Sequence, residues 1–377
     1  MAGAGRLSGR AEIGEPPDGC CCSYENVLVH RTSPVTETSA ICQLFLNWAL
    51  YDEAIVPAED LPTMNLIRTR AILLSALLFS AQGAMAQAVA QDCPPQVKVS
   101  PKEMKRLAHS AQPDRGPLWE ISKDGHLSYL YGTIHLARLE WDFPGPTILK
   151  ALRSARTVVV EMDITRPGMA ATMLAPMPQQ AADASSPLYQ SLLARTDQQL
   201  RKACADPENF KGASLASKMA SLTLLSARRR GLYADFAIDA ALIGFARYTR
   251  KDIIELEQPS DQRRVISQTQ LASLERNLDD VESGKTEDDL SALALAWERG
   301  DMGGIAALCK QLQCQGEQQY YEERNKVFAA GIAKAMAGPG PAFIGVGFLH
   351  MLGPDSVIDQ LRAMGFEVRQ VAMSGKS

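Results

Sequence analysis

Apolar and polar residues alternate along "LWEISKDGHLSYLYGTIH" (118–135), with Asp124-Gly125 in the middle. That pattern predicts two strands joined by a hairpin turn. Downstream, "FPGPTILKALRSA" (143–155) sets Pro near the start of a helical spacing, and "TVVVEMD" (157–163) is a β-branched run of buried-strand length. Near the end of the chain the order recurs: "AFIGVGFLH" as a strand, "GPDSVIDQLRAMG" as a helix and "FEVRQVAM" as a strand. Each first strand runs into G-x-x-H, at Gly132–His135 and at Gly347–His350.

The stretch between these units has mostly helical spacing. "SPLYQSLLARTDQQLRKA" opens with a serine cap before proline, and "SLASKMASLTLLSARRRG" closes on glycine after three arginines. "ADFAIDAALIGFARYTR", "DQRRVISQTQLASLERNLDDVESG", "EDDLSALALAWERGD" and "GEQQYYEERNKVFAAGIAKAMAG" (316–338) are further helices, and "KDIIELE" (251–257) is a short strand. The expected fold is α/β, with a central mixed sheet, two pseudo-repeated β-GxxH-α-β units and a helical insert between them. That domain spans 116–373, preceded by a linker at 87–115 holding one short helix.

Hydrophobic residues make up 46% and charged residues 22%, which suits a globular core. Net charge is −4, and residues 1–63 carry 3 Lys and Arg against 9 Asp and Glu, leaving the remainder near neutral. No basic field therefore points to a nucleic-acid partner. Residues 64–86, "MNLIRTRAILLSALLFSAQGAMA", place two arginines, an apolar run and Ala84-Met85-Ala86 in the order of a signal peptide. The expectation is that Met64 is the start, that 1–63 is a spurious or disordered extension, and that the product is periplasmic or secreted without a stable membrane anchor. Cleavage would leave Cys93, Cys204, Cys309 and Cys314, an even set suited to an oxidising compartment, with three pairings possible.

The chemistry concentrates at strand ends, where open α/β sheets bind ligands. Glycine permits a sharp turn or a close approach, and the histidine three positions on can project into the crevice. His135 and His350 are therefore candidate metal ligands, whereas His109 and His126 lack such a context. Glu161 ends an apolar strand, so it lies in the crevice or in an ion pair. Asp163 shares its face or caps a turn. Glu257 ends its own strand in the same way, with Glu255 on the same face. Glu323-Arg324-Asn325 lies on an amphipathic helix, where a solvated face is the ordinary expectation, and the same triplet recurs at Glu275-Arg276-Asn277. G-x-S-x-G, G-x-x-x-x-G-K-[ST] and H-E-x-x-H are all absent from the sequence.

"YLYGTIHLARLEWDFPGPTILKALRSARTVVVEMD" and "FIGVGFLHMLGPDSVIDQLRAMGFEVRQV" resemble the opening and closing motifs of the TraB/GumN/Tiki family, with "DFAIDAALIGFARYTRKDIIELEQPSDQ" and "YYEERNKVFA" matching its middle. The resemblance covers about 117–372. It implies a divalent-metal hydrolase centre with His135, Glu161 and His350 as ligands, the ion being Mn, Co or Zn. Glu257, Arg324 and Asn325 occupy the family's further polar positions. Its best-described members are membrane-linked metalloproteases, while the polar ending "AMSGKS" here speaks against a tether. The expected activity is a secreted metal-dependent peptidase on peptide or small-molecule substrates, with Glu161 or Glu257 as general base and Arg324 stabilising an oxyanion. The alternative is a non-catalytic binding protein that sequesters a peptide, metal or haem in the same crevice.

Overall fold

The computed structural model describes residues 93–176, 185–312, 314 and 318–373. The expected extension, the signal segment and the cleavage site lie outside these residues. Six strands form one sheet: β1 Leu118–Lys123, β2 His126–Thr133, β3 Thr157–Val160, β4 Asp252–Glu255, β5 Ala342–Gly347 and β6 Glu367–Gln370, in the order β4-β3-β5-β2-β1-β6. Strands β4, β3, β5 and β2 are mutually parallel, and β1 runs antiparallel to both β2 and β6. The sheet is thus mixed, as the sequence implies.

Alternation explains why the central strands read as unbroken apolar runs. Val158, Val160 and Phe343 enter one core, while Val159, Ile344 and Val346 enter the core on the opposite face. A strand buried on both faces has no position left for a polar side chain. Helices α1 (Pro101–Ala108), α2 (Pro146–Ser154) and α6 (Ile238–Tyr248) supply the first core. Helices α11 (Gln318–Met336) and α12 (Val357–Ala363) supply the second. The short helix expected within 87–115 is α1, whose Met104 and Leu107 are buried in the first core. Nearby, Asp114 Oδ1 accepts from the Thr147 and Ile148 amides, capping α2, whose own N-cap residue is glycine.

The helical insert comprises α3 (Met169–Leu174), α4 (Pro187–Lys202), α5 (Leu215–Ala227), α6, α7 (Pro259–Ser267), α8 (Leu271–Glu282), α9 (Lys285–Glu298) and α10 (Met302–Leu312). Leu192, Leu200, Met219, Leu222, Leu274 and Leu278 from α4, α5 and α8 close a third core. Ser186 caps α4 by accepting from the Tyr189 amide at 3.1 Å, a contact worth about 1 kcal/mol. The single helix expected over "DQRRVISQTQLASLERNLDDVESG" is two, broken at Gln268–Gln270. The halves share α5 but otherwise pack on different neighbours: α7 also meets α3, and α8 also meets α4 and α9. The cysteines pair as Cys93–Cys204 and Cys309–Cys314.

The two strand–GxxH–helix–strand units are not equivalent in the sheet. Strand β3 lies across β5 from β2, whereas β6 lies at the far edge beside β1. What they share is the position of the histidines. Strands β2 and β5 are neighbours with Thr133 level with Gly347, so both G-x-x-H turns leave the same rim.

Candidate functional site at the rim of the sheet

Four adjacent strands deliver one side chain each to this rim. In sheet order, Glu257 follows β4, Glu161 follows β3, His350 follows β5 and His135 follows β2. Turns without side chains make room for them. A Cβ on Gly347 would stand 3.1 Å from Glu161 Oε1, and one on Gly132 would stand 2.8 Å from Pro117 Cγ and 3.2 Å from Phe348 Cβ. Each motif glycine therefore keeps a backbone close to another part of the site. Trp297 of α9, fully buried, donates Nε1–H to the Gly132 carbonyl at 2.7 Å and fixes that turn from below.

Glu161 is buried, with Oε1 accepting from the Gly347 amide at 2.7 Å and Oε2 accepting from Arg324 Nη2 at 3.1 Å. Arg324 comes from α11 and also grips Glu257, donating Nε–H at 3.0 Å and Nη2–H at 2.7 Å. This bidentate geometry is the strong form of an arginine–carboxylate pair. Burial pushes the Glu257 carboxyl above its ordinary value, against the opposing pull of Arg324. The guanidinium also lies over the Phe328 ring, 5.0 Å from its centroid.

His350 is buried between the rings of Tyr321 and Phe328, at 5.0 and 4.9 Å. Its Nδ1 lies 2.6 Å from Asn325 Oδ1, and Asn325 Nδ2 donates to the Asp355 carbonyl at 2.9 Å. The second contact orients the amide, so Oδ1 must accept and His350 Nδ1 must carry the hydrogen. Burial lowers the His350 pKa to about 4, so the ring is neutral near pH 7 and Nε2 is a bare lone pair. That lone pair faces Glu161 Oε1 across 3.8 Å, too long for a hydrogen bond. Two acceptors therefore confront each other with no proton between them.

His135 is placed differently. Its side chain is 51% exposed, and Nδ1 meets Asp239 Oδ2 at 2.9 Å. Asp239, on the first turn of α6, is buried, and its other oxygen accepts from Thr133 Oγ1 at 2.8 Å. The Asp239 charge raises the His135 pKa to about 9. Because Thr133 is level with Gly347 on neighbouring strands, the His135 and His350 turns lie side by side at the rim.

The site thus brings together His135, Glu161, Glu257, Arg324, Asn325 and His350. Asp163 and Glu255 lie outside it. Asp163 pairs with Arg247 at 2.6 Å and caps Thr165, while Glu255 accepts from the Asp163 amide and pairs with Arg166. His109 is exposed and lies against the Lys105 carbonyl at the end of α1, and His126 is exposed at the hairpin. Of the triplet on α11 only Glu323 faces solvent, whereas at Glu275-Arg276-Asn277 both Arg276 and Asn277 are exposed. Asp239 and Thr133 escape a reading of motifs. Their signal is a lone carboxylate inside the apolar helix "FAIDAALIGF", which must find a partner once buried.

Residues 117–370 match the sequence model of the TraB/PrgY/gumN family. No curated protein and no solved structure matches the chain.

Proposed function

Because the chain belongs to the TraB/PrgY/gumN family, we propose that the crevice is the centre of a divalent-metal-dependent hydrolase acting on peptide or related amide bonds. The observation that carries this reading is the His350–Glu161 gap, where an imidazole lone pair and a carboxylate oxygen face each other 3.8 Å apart. An electron-rich gap of this kind suits a cation. Both imidazoles have Nδ1 committed to an oxygen, so Nε2 is the nitrogen each can offer an ion, already bare in His350 and bare in His135 once its second proton leaves, the arrangement common to metal-bound histidines. Among the described residues no three His, Cys, Asp or Glu already form a cage. His135, Glu161 and His350 are the residues that would hold the ion.

When bound, such an ion lowers the pKa of water and polarises a carbonyl. The protein supplies the rest. Glu161 Oε2, beside Arg324, takes the proton of the attacking water as general base. Arg324, anchored by both oxygens of Glu257, directs its remaining N–H groups to the oxygen on which charge develops. Glu257 serves better as this anchor than as a base, since it is Glu161 that faces His350 while Glu257 holds Arg324 with both oxygens. Export to the periplasm or beyond agrees with the signal-like segment at 64–86 and with two disulfides.

The test is to purify the protein, measure bound metal and assay peptide cleavage with Mn²⁺, Co²⁺ or Zn²⁺, alongside His135→Ala and His350→Ala. Metal-dependent cleavage lost in both variants is expected. Metal bound without turnover on a broad peptide library would favour sequestration, and unchanged metal content in both variants would remove the centre.

A further inference from the structure

A G-x-x-H turn delivers an imidazole to the rim but does not decide which nitrogen faces the crevice. We infer that Asp239 is the positioning residue of His135: it keeps the hydrogen on Nδ1 and turns Nε2 toward Glu161. The inference rests on the proposed function for its purpose, but not for its geometry.

Asp239 is 2% exposed, and both its oxygens are engaged. Oδ2 meets His135 Nδ1 at 2.9 Å and Oδ1 accepts from Thr133 Oγ1 at 2.8 Å. An ionised carboxylate has no hydrogen to donate and can only accept, so Nδ1 is the protonated nitrogen. Thr133 is the first variable residue of the G-x-x-H itself, so the motif carries the clamp for its own orienting acid. The ring needs one. His135 is half exposed, whereas packing between two aromatic rings immobilises His350.

The second motif reaches the same state by another route. Phe348 stands where Thr133 stands in the first and has no hydroxyl to offer. The acceptor for His350 Nδ1 is instead Asn325, an amide from α11 turned by the Asp355 carbonyl. Two unrelated devices, one a carboxylate on α6 and one an amide on α11, both place hydrogen on Nδ1. A merely structural histidine would be satisfied by a hydrogen bond to either nitrogen. The matched outcome points to a demand for Nε2 at the crevice.

The experiment reads hydrogen positions by nitrogen-15 histidine NMR on the metal-free protein at pH 10.5, above the His135 value of about 9, where both rings are neutral. In the unmodified protein, Nδ1 of both His135 and His350 is expected to carry a hydrogen. In Asp239→Asn, Oδ1 keeps the Thr133 hydroxyl and the amide turns its Nδ2–H on His135. Nδ1 then becomes an acceptor and the hydrogen moves to Nε2, while His350 is unchanged; an aspartate-to-asparagine change beside a catalytic histidine selects the wrong tautomer in the same way. Cobalt(II) binding should fall about 10- to 100-fold in Asp239→Asn, with partial recovery in Asp239→Glu. An unprotonated His135 Nδ1 in the unmodified protein overturns the inference even if no variant folds, as does an Asp239→Asn protein with its Nδ1 hydrogen and cobalt binding unchanged. The hydrogen positions are read without metal or substrate. A protein that cuts no peptide would leave the inference standing, and a peptidase lacking the Nδ1 hydrogen would not.

Discussion

His135 stands half exposed against a buried carboxylate that raises its pKa to about 9, while His350 is buried between two aromatic rings and an amide, with a pKa lowered to about 4. The two residues leave adjacent parallel strands at the same level, through turns of the same form. Their difference lies in what other elements bring to them. Helix α6 presents an acid to one, and α11 presents an amide and two aromatic rings to the other. The local motif sets the path of the backbone, and the distant helices set the electrostatics.

Glu161 faces His350 across 3.8 Å and is the proposed partner of both histidines, so that residue is where the comparison breaks first. Glu161→Gln keeps the shape but removes the proposed base, and kcat should fall about 10²- to 10⁴-fold, measured with the metal-supplemented peptide assay. Arg324→Met should be the most destabilising change on the His350 side. It leaves Glu161 and Glu257, both buried, without their cation, and urea denaturation should show a loss of about 3–5 kcal/mol. Asn325→Leu should cost less, about 1–3 kcal/mol, for the stranded His350 nitrogen and Asp355 carbonyl. A loss smaller than that of an exposed substitution would mean that the amide does not hold the ring.

The smallest effect is in the pH dependence of the metal-free protein, where the histidines have opposite signs. The folded His350 value lies below the ordinary 6.5, so the unfolded chain binds the proton first and stability falls as pH drops from about 6.5 toward 4. The folded His135 value lies above 6.5, so its contribution is complete below that pH and is lost as pH rises toward about 9. Stability from this pair therefore peaks near pH 6.5. Denaturation curves across pH 4 to 10 should show both limbs, and Asp239→Asn should flatten only the alkaline one.

Much of this is legible in the sequence, for definite reasons. The hairpin is written in its alternation and its turn, where Asp124 and Gly125 both take positive φ. The sheet core is written in β-branched runs that have no polar face. For Glu161 the sequence leaves crevice and ion pair open, and the structure realises both, since its carboxylate faces His350 and pairs with Arg324. Asp239 is not legible, because only the packing of α6 against the end of β2 gives that lone acid a partner. The two identical Glu-Arg-Asn triplets cannot be told apart locally either. One helix lies over the sheet rim and the other in the helical insert, and the surroundings alone decide which triplet is buried.

The central claim, that imidazoles from opposite ends of the chain share one ion, is tested most directly by X-ray absorption on the zinc-loaded protein. The expected result is one zinc with two imidazole nitrogens at about 2.0–2.1 Å, falling to one imidazole in His135→Ala and to one in His350→Ala. A zinc bound through one imidazole or none in the unmodified protein would contradict it.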